Sequence, residues 1–164
     1  MLRVGLLVGL TVVMFMFGTV AAWAASPSVV HISGSFSGDD SIADCGTFEV
    51  RDEFTLNFSG TEHYDQQGNL VRVVEHIFGV DRLYNSVTGK SLKPASFNQG
   101  EIVHPIEGQV AVNGVIFRIT VPGAGVVLLD VGRFVFTFDG DLVFIAGQHQ
   151  FLAGDFAGLC AALA

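Results

Sequence analysis

The sequence predicts an all-β fold: an antiparallel up-and-down β-barrel of about eight strands with a short C-terminal helix, or alternatively a two-sheet sandwich. Three observations lead there. Apolar residues alternate over long stretches, turn signals separate those stretches at short intervals, and the two cysteines, Cys45 and Cys160, sit towards opposite ends of the alternating region. Consecutive strands on short turns pair antiparallel with their neighbours. Closure into a barrel would remove the edges that such a meander leaves open.

Residues 1–24 read as a signal peptide, followed by a single domain over residues 25–164. Arg3 supplies the positive start, "VGLLVGLTVVMFMFG" the apolar segment, and "AAWAA" the small-residue cleavage site. Cutting after Ala24 places Ala22 and Ala24 at the two positions that must be small. The rival reading is an uncleaved anchor, since residues 4–25 could just span a bilayer as a helix. No cysteine closely follows the apolar segment, which argues against a lipid-modified N-terminus.

The remaining elements follow in order. Residues 28–36 ("SVVHISGSF") alternate weakly as a strand, and "SGDDSIAD" (37–44) reads as a polar loop. Residues 46–65 form a long alternating stretch with Phe48, Val50, Phe54, Leu56 and Phe58 on one parity. "QQG" (66–68) fits a three-residue hairpin loop with a left-handed glycine, and 70–84 returns. Residues 91–104 are interrupted by Pro94, and "NG" (113–114) signals a hairpin between "QVAV" and "VIFRITV". Residues 126–138 and 142–151 complete the strands. In "GDFAGLCAALA", Asp155 can cap a helix whose face carries Phe156, Leu159, Cys160 and Leu163.

With "QQG" as the loop, the first hairpin pairs Tyr64 with Leu70, Glu62 with Arg72, Gly60 with Val74, and Phe58 with His76. That register puts Phe54, Leu56, Phe58, Glu62, Tyr64, Arg72, Val74, His76 and Phe78 on the more apolar face, which should point inward.

Composition narrows the function. Removing Arg3 from the whole-chain charge of −8 leaves −9, and no basic stripe exists to neutralise phosphates, so a nucleic-acid partner is not expected. After leader removal no membrane segment is expected either. Of fifteen phenylalanines only Phe15 and Phe17 lie in the leader, so the domain has either a thick core or a lined cavity. In an oxidising compartment, two cysteines most simply form one disulfide; a free thiol or an intermolecular bridge are the alternatives. A Cys45–Cys160 bridge would close a loop worth about 4 to 5 kcal/mol in the chain-entropy model.

Each polar candidate has a bland counterpart. His76 on an apolar face is a ligand contact or a hydrogen-bonded core histidine. Glu62 with Arg72 is a substrate clamp or a cross-strand ion pair. Asp39, Asp40 and Asp44 are acidic but lack a calcium-loop pattern. Gln148, His149 and Gln150 read as a solvated face. Asp130, Arg133 and Arg118 stand in apolar strands and could be one another's partners. No zinc spacing, nucleotide fingerprint or catalytic triad order is present, so no cofactor or metal is expected.

The stretches "VPGAGVVLLDVGRFVF", "GDLVFIAGQHQF", "GDFAGLCAALA", "CGTFEV" and "QQGNLVRVVEH" resemble small secreted bacterial proteins of unknown function, frequent in actinobacteria. The resemblance covers most of the mature chain, includes both cysteines, and implies export and a shared fold without an activity. The closed meander is also similar in architecture to allene oxide cyclase and lipocalin barrels, a likeness that carries no function. The leading expectation is an exported barrel binding a small apolar ligand through His76, Arg72, Glu62, Phe58 and Tyr64. A barrel enzyme of cyclase or isomerase type and a solid structural surface protein are the alternatives.

Secreted protein should begin at Ala25 or Ser26, as N-terminal sequencing will show; retention of Met1 in the secreted form would exclude cleavage.

Overall fold

The computed structural model describes residues 26–164, so the leader and its cleavage site lie outside the described residues. The described residues form seven strands, β1 (Ser28–Asp44), β2 (Glu49–Tyr64), β3 (Leu70–Asn85), β4 (Ala95–His104), β5 (Gln109–Val121), β6 (Gly125–Thr137) and β7 (Leu142–His149). Two short helices follow, α1 (Gln150–Ala153) and α2 (Ala157–Leu163). The strands make one antiparallel sheet in sequence order, as short turns dictate.

Three expectations need correction. The polar stretch 37–44 is not a loop but the second half of β1, with Asp39 opposite Glu53 and Asp40 opposite Asp52. Its polarity reflects partners rather than a turn: Arg51 Nε donates to Asp39 Oδ1 at 2.7 Å, and the Tyr84 hydroxyl donates to Asp39 Oδ2 at 2.6 Å. The "NG" dipeptide is not a hairpin. Asn113 and Gly114 run straight through β5, paired with Gly100 and Gln99 on one side and Arg133 and Gly132 on the other. Gly114 has φ +132°, and an added Cβ would lie 2.6 Å from the Asn98 carbonyl oxygen. The dipeptide therefore serves a close strand approach, and the turn falls at residues 105–108, where the Glu107 N–H donates to the His104 carbonyl at 3.1 Å. Strand number drops to seven as a result.

The third correction concerns closure. β1 and β7 are the two edges and do not pair with one another, so the sheet is open. The chain leaves β7 at His149 and turns into α1 instead of extending to Phe151. Both edges keep apolar residues exposed, including Val29, Val30 and Phe36 on β1 and residues 142–145 on β7.

The C-terminal segment links the two limbs of this sheet. Leu159 and Leu163 of α2 are fully buried in a cluster with Ala43, Val50 and Leu83 from β1–β3 and with Phe117, Ile119 and Leu128 from β5–β6. Residues at both ends of the strand order touch the same helix, so the sheet bends around its helix-covered face. Asn85 Nδ2 donates to the Leu163 carbonyl at 3.1 Å, and Lys90 Nζ donates to the Ala164 carbonyl at 2.7 Å. Cys45 and Cys160 are disulfide-bonded with Cα atoms 5.6 Å apart, as the sequence predicts. The expected Asp155 cap is absent, since no side chain caps α2. The Asp155 carboxylate instead accepts from Gln150 Nε2 at 3.4 Å.

Replacing both cysteines (Cys45→Ser with Cys160→Ser) should lower the unfolding free energy by about 3 to 5 kcal/mol. Urea denaturation measures this, and a loss under about 1 kcal/mol would show that Leu159 and Leu163 hold α2 without the bridge.

Candidate functional site

Strand register sorts the side chains onto two faces with different chemistry. The helix-covered face carries Asp40, Asp52, Phe54, Leu56, Phe58 and Glu62 from β1 and β2. From β3 and β4 it carries Val73, Glu75, Ile77, Asp81, Phe97 and Glu101. The outer face carries Arg51, Arg72, Arg82, Arg118 and Arg133, which are all the arginines of the strands. On the helix-covered face the sole basic side chain of the strands is His149.

The first hairpin accounts for which predicted residues meet. The turn is as expected: Tyr64 pairs with Leu70, the Asp65 N–H donates to the Asn69 carbonyl at 2.9 Å, and the Gly68 N–H to the Asp65 carbonyl at 3.1 Å. Immediately after it, a β-bulge leaves Val71 without a partner, and His63 rather than Glu62 faces Arg72. From there on the parity of β3 is inverted, because one extra residue moves every later side chain to the other face. Phe58 therefore pairs with Ile77, and His76 pairs with Ser59.

Of the predicted ligand residues, Phe58, Glu62 and Tyr64 share the helix-covered side, where the Tyr64 hydroxyl donates to Glu62 Oε2 at 2.7 Å. Arg72 and His76 lie exposed on the outer face, so the Glu62–Arg72 pair does not form. His76 stacks on Phe78 with ring centroids 5.5 Å apart, and its Nε2 contacts Asn98 Oδ1 at 2.7 Å.

In place of the expected basic residues, the bulge brings carboxyls inward. Glu75 stands directly opposite Glu101 and diagonal to Glu62. Burial pushes the Glu101 carboxyl up to about 7, with the Glu75 charge adding to it. Burial and then Glu62 raise Glu75. Nearer α2, Asp52 and Asp81 are diagonal neighbours across β2 and β3, each only 5 % exposed. Burial, then the charges of Asp40 and Asp39, push Asp52 up to about 7. Burial, then Asp52, pushes Asp81 up to about 8. Asp52 Oδ1 is buried without a hydrogen-bond partner. Phenylalanines separate the two carboxyl groups: Phe58 lies over Gly34, Phe54 over Gly38 and Phe97 over Gly79, each where a Cβ would come within 2.7 Å of the ring.

Asp130 and His149 form the one buried ion pair among the described residues, with Nδ1 of His149 donating to Asp130 Oδ1 at 2.7 Å. His149 Nε2 donates to the Ala146 carbonyl at 3.1 Å, and Asp130 Oδ2 accepts from the Phe151 N–H at 3.1 Å. Burial presses the imidazole towards neutrality, but the bonds to Asp130 and Ala146 outweigh it and raise its pKa. Both ring nitrogens face acceptors, so the ring is an imidazolium with neither nitrogen free for proton transfer. The pair fixes the corner between β6, β7 and α1. His149 is thus buried rather than solvated, and Asp130 is matched by it rather than by Arg118 or Arg133, both of which are exposed.

The acidic stretch 39–44 does not converge. Asp39 faces outward to Arg51, Asp40 faces inward, and Asp44 Oδ1 accepts from the Gly46 N–H at 2.7 Å. Among the described residues no group of three or more histidines, cysteines or acids is arranged to hold a metal ion. Two shallow surface clefts, of about 380 and 440 Å³, lie elsewhere, beside α2 and the β5–β6 turn and along residues 31–33 and 59–61. Neither cleft is lined by the inward carboxyls, which flank a half-buried apolar strip, the trough, along β2–β4 on the helix-covered face.

No known protein family, curated protein or solved structure matches the chain.

The carboxyl shifts set a pH dependence of stability. The fold favours the protonated form of Asp52, Asp81 and Glu101, so their contribution is complete below the ordinary carboxyl pKa of about 4. It is lost as pH rises through about 7 to 8. The raised His149 pKa acts in the same direction. Unfolding midpoints should therefore fall between about pH 5 and pH 8.5. Asp52→Asn should restore stability at the higher pH, by on the order of 4 kcal/mol at most, and change little at the lower. A variant destabilised equally at both would show that the Asp52 carboxylate is satisfied in the folded protein.

Proposed function

We propose that the protein is an exported binding module that holds a small apolar ligand in the trough on the helix-covered face of its sheet. One observation carries this reading. Phe54, Leu56, Phe58, Ile77 and Phe97 share that face, yet they stay only half-buried because α1 and α2 cover β5, β6 and the far ends of β1–β3 instead. An unfilled apolar surface flanked by a few polar groups is what a small-molecule site requires. The trough then takes the part of a barrel interior, with α2 as its floor and Glu62, Glu75 and Glu101 towards its mouth. Export is supported by the leader pattern and by the disulfide, which needs an oxidising compartment to persist.

An acid–base enzyme is the second reading, favoured by the register pairing of Glu75 with Glu101, of which Glu101 titrates at about 7. Two adjacent carboxyls, both raised by burial, are suited to proton transfer near neutral pH.

A neutral, environment-sensitive dye should bind saturably, and Ile77→Asp should weaken its binding about tenfold or more. Phe78→Asp, one residue away on the outer face, should leave it unchanged. Equal effects of the two substitutions in a fluorescence titration would exclude the trough as the binding surface.

A further inference from the structure

We propose that the trough selects a ligand bearing a protonated amine, whose ammonium head is held at the floor by the carboxyls of Asp52 and Asp81 while its apolar body lies along Phe54, Leu56 and Phe97. The proposal rests on the apolar-ligand reading above and adds the chemistry of the head group. Its main support is Asp52. This side chain is 5 % exposed, yet its Oδ1 has no hydrogen-bond partner, and a buried acceptor left unpaired is destabilising unless something donates to it. Asp81, equally buried, is its diagonal neighbour.

Among the described residues no charged side chain is placed to neutralise the pair. From β1 the residue facing it is Asp40, another acid, and the directly paired residues are Leu83 on β3 and Ala95 on β4. Asp39 is near enough to act on Asp52, but it faces outward against Arg51 and Tyr84. Arg82 is turned outward to Glu53, and its backbone alone reaches Asp52. α2 brings no charged side chain, and Lys90 is bonded to the Ala164 carbonyl. The site thus presents two buried carboxyls to which the surrounding described residues bring one backbone donor, from Arg82, and no positive charge, and the missing partner is a donor with positive charge.

An ammonium group meets that need. It has three donors on one compact centre, and an apolar body attached to it keeps its other side out of water. A bare metal ion does not, since no three ligating side chains converge there. The raised carboxyl pKa values describe the unliganded site, and a bound cation would draw both carboxyls back towards ionisation.

Calorimetric titration of the full secreted protein with decylamine and with decan-1-ol separates this proposal from the reading beneath it. Alkyl ammonium groups stay charged at about pH 8.5 and at about pH 5.5, so the ligand's charge is the same in both conditions while the floor carboxyls change theirs. At the higher pH, decylamine should bind about tenfold or more tightly than decanol. Asp52→Asn and Asp81→Asn should each bring the two ligands within about threefold by weakening decylamine alone, whereas Glu53→Gln on the outer face should preserve the difference. The preference should also shrink at the lower pH. Equal binding of the two ligands to the unaltered protein, or loss of the preference in Glu53→Gln, would overturn the ammonium site while leaving an apolar trough in place. A preference that survives in both aspartate variants would do the same. Binding of neither compound would remove the apolar-ligand reading itself.

Discussion

The insertion of Leu159 and Leu163 between the two limbs of the sheet is the contact on which the remaining architecture depends. A seven-stranded meander with short turns specifies neighbour pairing but leaves its overall curvature free. α2 removes that freedom, because its two leucines share one buried cluster with Val50 and Leu83 from one limb and with Phe117 and Leu128 from the other. A seven-residue helix is too short to persist alone in water, so its own order comes from this packing and from the Cys45–Cys160 bond. The bond ties the helix to the turn between β1 and β2. It thereby keeps the first limb within reach of the leucines even when the contact loosens.

Bending the sheet around one face determines which side chains must lose water. Residues near α2 are buried by it directly, and residues further along β2–β4 are buried only in part by their neighbours. Aromatic rings resting on glycines make the second zone possible. Phe54 and Phe58 lie over Gly38 and Gly34 of the adjacent strand, which lets the rings rest low on the sheet. A β-carbon at those glycines would lift the rings into the trough. The glycines of β1 therefore act on shape through steric room rather than through unusual backbone angles.

Much of this was legible in the sequence, and the failures have physical causes. Alternation located most of the strands, the cysteines located the bond that ties the C-terminal helix to the β1–β2 turn, and the residues 66–68 turn fixed the first hairpin at Tyr64–Leu70. The inward set failed because of one bulged residue, Val71. The run "LVRVV" offers apolar residues on both parities, so nothing in hydrophobic pattern alone marks where the parity changes. A one-residue slip then exchanged Arg72 and His76 for Val73, Glu75 and Ile77. Asp52 was different: it shares parity with Val50, Phe54 and Leu56 before any irregularity, so its inward position was readable from alternation alone. The "NG" signal failed because it encodes permissive backbone, and a strand crossing closely past Asn98 needs glycine as much as a turn does.

Two aspartates on the same face, Asp130 and Asp52, show how differently a buried carboxylate can be accommodated. Around Asp130 every requirement is met: an imidazolium at 2.7 Å, a backbone N–H at 3.1 Å, and a pair of facing glycines, Gly132 and Gly147, that clear room for the His149 ring. A site so completed has no remaining valence for a ligand and contributes order. Around Asp52 the neighbours make ionisation harder, since Asp40 and Asp39 add charge of the same sign and one oxygen has no donor. Consistency between local chemistry and fold is the rule in stable sequences, and departures from it concentrate where a protein meets something else. The sequence had the means to neutralise Asp52, with three arginines on β2 and β3, and every one of them faces outward. That separation is a property of strand parity, so a single register change would undo it; the bulge at Val71 is what keeps Arg72 out of the trough and Glu75 within it.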